Sequence, residues 1–161
     1  MRLFAIPLFA SLGLALVQCS PQSGEESKPT SLRSTVELKL TPAAVAKLKA
    51  TGETAVLDAL YFGIVTQETA SMADPKDGTI HLGTDLYDLP PKASQTVRLT
   101  AKSVDPAKFD LISQGRPILR VAAYASKDGQ RVETLSCHDY QDYVDVVQKQ
   151  AVTLRCDLSQ Q

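Results

Sequence analysis

Three stretches of the chain alternate strictly between apolar and polar positions. Thr35–Leu40 carries Val36, Leu38 and Leu40 on one side. Thr96–Lys102 carries Val97, Leu99 and Ala101, and Ala151–Asp157 carries Val152, Leu154 and Cys156. A period of two sets each group on one face of an extended strand and the intervening polar residues on the other. Strands with one wet face predict antiparallel sheets, since parallel strands covered on both sides lose their alternation. Ala55–Val65 and Ile118–Ala125 are apolar at nearly every position and predict central strands. Ile80–Leu89 predicts another, with a bulge or bend at Gly83, and Arg131–Cys137 one more. Asp58 interrupts the first apolar stretch, so it is expected at a sheet edge or facing a partner.

Helix is confined to connections. Thr41 as N-cap, Pro42 at the first helical position and Gly52 past the end bracket Ala43–Ala50, where Val45 and Leu48 can face the sheet together. Asp105–Phe109 predicts a single turn whose Phe109 plugs one end of the core. Tyr140, Tyr143, Val144 and Val147 fall at i, i+3, i+4 and i+7, which favours a short helix within Asp139–Lys149 over a strand with a loop. Turn signals stand at Asp77-Gly78, Pro90-Pro91 and Asp128-Gly129. The pattern predicts an all-β fold: an immunoglobulin-like antiparallel β-sandwich of about seven strands with one or two short connecting helices. The chain has no Trp and lacks the long cysteine separation of antibody domains, so the likeness is architectural.

The 161 residues, 43% hydrophobic and 22% charged, suffice for one globular domain. Acids and bases are interspersed around a net charge of −1. No basic face offers itself to a phosphate backbone, so nucleic acid is excluded as an expected partner.

The N-terminus departs from the rest. Leu3–Val17 is an apolar run behind the basic start Met1-Arg2. It is shorter than the roughly 20 residues a membrane span needs, lacks the polar face of a core helix, and has the form of a secretory signal. Cys19 follows, then Ser20–Ser34, rich in Ser and Pro. Leu16-Val17-Gln18-Cys19 resembles the lipobox of bacterial lipoprotein precursors, with Gln18 standing where that family carries Gly, Ala or Ser. The resemblance covers only about the first twenty residues and implies a signal peptide over residues 1–18 and a lipidated Cys19; the composition of Ser20–Ser34 makes 19–34 a flexible tether, and the strand pattern places the β-sandwich domain over 35–161. The resemblance implies a membrane as partner through the lipid anchor. Ser20, in place of the Asp that marks inner-membrane retention, implies the outer membrane, facing the periplasm. Ordinary signal cleavage, giving a soluble periplasmic or secreted protein, is the alternative.

The cysteine count agrees with export. An exported chain with three cysteines needs a use for the odd one. Cys137 and Cys156 can pair inside the domain and leave Cys19 alone. Their disulfide would close a loop worth about 3 kcal/mol in the chain-entropy model and would persist only in an oxidising compartment. Two separate reduced core thiols are the alternative.

The remaining constellations are weak. His138 adjoins Cys137, but neighbours in a strand point to opposite faces. His81 and His138 have no third ligand at a zinc spacing. Asp139, Asp142 and Asp145, or Asp74, Asp77, Asp85 and Asp88, supply oxygens that calcium could use, without the twelve-residue loop pattern. No phosphate loop, nucleophile elbow or Cys-x-x-Cys occurs. No catalytic, cofactor-binding or metal site is therefore expected, and the protein is expected not to be an enzyme. The expected function is a non-catalytic protein-interaction or envelope-assembly module on a membrane anchor, with Tyr87 and Tyr143 as first candidates for partner contact. A periplasmic protein that binds a small ligand or metal ion is the alternative.

Overall fold

A computed structural model describes residues 31–160. The signal run, Cys19 and the tether as far as Thr30 lie outside the described residues. The elements in chain order are β1 (Ser34–Leu40), α1 (Pro42–Thr51), β2 (Thr54–Ile64), β3 (Thr79–Leu89), β4 (Ser94–Leu99), β5 (Ile118–Lys127), β6 (Gln130–Val132), β7 (Leu135–Cys137), β8 (Tyr140–Tyr143), α2 (Val144–Val147) and β9 (Val152–Leu158). Short 3₁₀ turns stand at Ala70–Met72, Pro106–Leu111 and Ser113–Gly115.

The strands form two sheets, one ordered β4-β1-β9-β7 and the other β3-β2-β5-β6, with β8 also on β5. Alternation decides which residues meet between them. Val36, Leu38, Leu99 and Leu154 from the first sheet join Leu57, Tyr61, Leu119 and Val121 from the second in one buried cluster. Burying each such side chain is worth roughly 1.5–3 kcal/mol. Tyr61 is wholly buried, and its hydroxyl has no hydrogen-bond partner among the described residues. Across β7 and β9 the cysteines stand directly opposite each other, and Cys137 and Cys156 are joined with sulfurs 2.03 Å apart.

Three sequence expectations need correction. The first sheet is mixed, because β1 and β9 run parallel with Val36 opposite Val152 and Leu38 opposite Leu154. Alternation reports that one face is wet; it does not report strand direction. Arg131–Cys137 is two strands, β6 and β7, in different sheets, with the turn at Glu133-Thr134 carrying the chain across. Asp139–Lys149 is a strand followed by one helical turn. The free edge of β5 captures Tyr140–Tyr143, with Gln141 opposite Arg120, and overrides the helical period. The strands of the described residues number nine in consequence.

Helix α1 matches its signals. Thr41 Oγ1 accepts from the Ala44 N–H at 3.3 Å and donates to Asp157 Oδ1 at 2.8 Å. Gly52 ends the helix at φ 69°, a left-handed conformation that costs glycine nothing. Ala44 and Leu48 are wholly buried, while Val45 sits at the margin. Ser34, assigned to the tether from sequence, opens β1 and is buried. Leu32 before it packs on the core.

In β3 the register shifts opposite Tyr61 and Phe62, so Gly83 lies at a bulge. A Cβ there would stand 2.4 Å from the Ser103 carbonyl oxygen. The connection after β4 thus presses against β3, and Asp85 holds it. The Asp85 carboxylate accepts from the Lys102 and Ser103 N–H groups, each at 3.0 Å. Burial pushes this carboxyl up, but the bonds from Ser103 and Lys102, with the Tyr87 hydroxyl, outweigh that and leave it below its ordinary value.

Candidate functional site

The outer face of the five-stranded sheet is built by the residues that alternate away from the core. Register sets them in cross-strand rows. Tyr143, Ile118, Phe62 and His81 form one row; Gln141, Arg120, Leu60 and Thr84 the next. Ala122, Asp58 and Leu86 follow, then Tyr124, Val56 and Asp88. The apolar members concentrate on β2 and β3. Leu86 is 60% exposed and Ile64 49%, and with Met72 at 58% they are the exposed large hydrophobics of the described residues. Two of these three share this one face.

Asp58 lies in its middle. The strand β2 is central, between β3 and β5, so the sheet-edge expectation for Asp58 fails and the partner-facing one remains open. The side chain is half-buried between Leu86 and Ala122, and Oδ1 is buried without a hydrogen-bond partner among the described residues. Desolvation raises its pKa; Arg120 and Arg131 oppose the shift, and Asp139 adds to it. A carboxylate oxygen in this setting gains from any donor brought to it.

The aromatic candidates divide. Tyr87 points inward from β3, half-buried; its hydroxyl accepts from the Thr100 N–H at 3.1 Å and donates to Asp85 at 3.4 Å. It braces the fold, and its expected role in partner contact is corrected on that ground. Tyr143 stays on the outer face. The Arg116 guanidinium stacks 3.8 Å from its ring centroid and grips Asp145 with two bonds of 2.9 and 3.0 Å.

The acidic clusters do not converge. Asp74 accepts from the Lys76 N–H, and Asp77 from the Thr79 N–H and hydroxyl and from His81 Nε2 at 2.8 Å. The bonds from His81 and Thr79 hold Asp77 at about 2. Asp142 accepts from the Tyr143 N–H while Asp145 serves Arg116. Among the described residues no three His, Cys, Asp or Glu side chains are arranged to hold a metal ion. Cys137 is committed to Cys156, so it is no thiol partner for His138.

Leu60, Ile64 and Leu86 are the surface residues that sequence reasoning missed. The signal for Leu86 was present: in Thr84–Asp88 it stands alone among polar residues on its side of the strand. No family model, curated protein or solved structure matches the chain.

Proposed function

We propose that this is a lipid-anchored, periplasm-facing envelope protein that works without catalysis, by presenting the outer face of β2 and β3 to a protein partner. The observation that carries this reading is Asp58: a carboxylate oxygen unpartnered among the described residues, directly across from the exposed side chain of Leu86, with the exposed Ile64 farther along the same strand. Interfaces take their energy from a few apolar anchors around satisfied polar groups. The partner that fits presents apolar side chains around a Lys, Arg or amide donor that reaches Asp58. Two sheets sharing one core support a sandwich of immunoglobulin-like class, which supplies the rigid platform. The Leu16–Cys19 lipobox and the pairing of the other two cysteines support the anchor.

Leu86→Arg tests the face. It sets a charge against the expected apolar anchor at a position exposed enough to leave the fold intact, and the partner should no longer co-purify with the membrane-bound protein. Cys19→Ser tests the anchor and should move the protein from the membrane pellet to the soluble fraction. Unchanged co-purification by Leu86→Arg rejects the face; unchanged pelleting, without labelled palmitate in the wild type, rejects the anchor.

A further inference from the structure

A cleft of about 600 Å³ opens at the other sheet, between the start of β1, the end of β4 and the connection from α2 to β9. Arg33, Arg98 and Lys149 line it, all exposed, and among the described residues no carboxylate does. Its floor is apolar, from Leu99, Val147 and Ala151, with one exception. Ser34 faces the interior beside Leu99, is 7% exposed, and its Oγ has no hydrogen-bond partner among the described residues.

Two acids adjoin its lining, and both are engaged. Asp145 is 3.9 Å from Lys149 but is gripped by Arg116. Glu37, two residues beyond Thr35 on β1, is held below its ordinary value by Lys39, then by Ser94 and Thr153. Gln148 is also spent, donating to the Ser31 and Arg33 carbonyls. Among the described residues Arg33 and Arg98 therefore have no carboxylate partner, Lys149 keeps only its 3.9 Å contact to Asp145, and the volume lies in the range of small-ligand sites. A second groove of about 320 Å³ shares Arg33 and Thr100 with it and runs along Leu32, Val104 and Phe109. Cationic head and apolar trough lie end to end.

We propose that this cleft binds a phosphate ester, with the phosphate held by Arg33, Arg98 and Lys149. Guanidinium groups match phosphate oxygens two at a time, and the Lys149 ammonium adds a third charge. The apolar groove beside it suits a tail on the same molecule. An anionic phospholipid headgroup and a soluble phosphate monoester share this chemistry. The inference is independent of the partner face, which belongs to the opposite sheet.

Calorimetric titration of the full-length protein in neutral detergent tests it, using inorganic phosphate, dihexanoylphosphatidylglycerol and dihexanoylphosphatidylcholine as probes. Saturable binding of the anionic lipid is expected, with Arg98→Gln weakening it about tenfold, the loss of one charge-assisted contact. Arg98→Lys should fall between, and Arg155→Gln, on the same sheet but outside the cleft, should bind as wild type. Binding of both anionic probes, weakened by Arg98→Gln, supports the site and admits a soluble source. Binding of phosphatidylglycerol alone, with the same dependence, supports it and assigns the lipid source. Failure of phosphatidylglycerol to bind, equal binding of phosphatidylcholine, or unchanged affinity in Arg98→Gln overturns it.

Discussion

Removing the Asp85 carboxylate should loosen the connection between β4 and the 3₁₀ turn at Pro106. Asp85→Ala deletes two hydrogen bonds of 3.0 Å from the Lys102 and Ser103 N–H groups to an ionised acceptor. Charge-assisted bonds contribute about 1.5–3 kcal/mol each. Both donors belong to exposed residues and can turn to water, so the lower end applies and the pair is worth roughly 3 kcal/mol. For a domain of this size that lowers Tm by roughly 10 °C. Asp85→Asn keeps one acceptor oxygen and should fall between. The sign with pH follows from the depressed pKa: the contribution is full above the ordinary value of 3.8 and fades as pH falls through the folded value. Thermal and urea unfolding at pH 7 and pH 3 would show the gap between wild type and Asp85→Asn narrowing in acid. Gly83→Ala acts on the same contact from the other side, through the 2.4 Å clash with the Ser103 oxygen, and should destabilise by about 1–3 kcal/mol. An Asp85→Ala protein within about 0.5 kcal/mol of wild type, or a gap that does not change with pH, would refute the reasoning.

Cys137→Ala should cost roughly 2–5 kcal/mol, the usual loss for a native disulfide in a small exported domain, and thiol titration of denatured, unreduced wild type should find neither domain cysteine reactive. Tyr61→Phe removes a buried hydroxyl without a partner among the described residues and should leave stability unchanged or raise it by up to about 1 kcal/mol in urea unfolding. Asp58→Asn should stabilise the isolated protein at pH 7. Because Asp58 has a raised folded pKa, its ionisation penalises the fold as pH rises past 3.8, so the gain should disappear below that value. The same variant should bind the partner more weakly, since the amide lacks the charge.

The strands were legible where one face is wet, because period two is written directly in Val36-Leu38-Leu40 and Val152-Leu154-Cys156. The cap at Thr41 and the stop at Gly52 were legible because each satisfies a purely local hydrogen bond or φ requirement. What was not legible is long-range. The parallel pairing of β1 with β9 joins residues more than a hundred positions apart, and alternation is the same for either direction. Tyr140–Val147 fits a helical period, and only the open edge of β5 decides for a strand. The cationic cleft draws Arg33, Arg98 and Lys149 from three distant segments, and no spacing in the chain links them. Asp58 was visible as an anomaly in an apolar strand; its central, outward position needed the sheet order.

The most direct test of the partner face is site-specific photocrosslinking in living cells. A photoreactive side chain at Leu86, in the middle of the proposed face, should yield one discrete crosslinked protein. The same group at Lys47 on α1 or at Thr153 on the opposite sheet should not, and Leu60→Arg combined with the Leu86 probe should erase the product. Equal crosslinking from Lys47 or Thr153, or no product from Leu86 in cells where the protein is at its native level, would contradict a function carried by the outer face of β2 and β3.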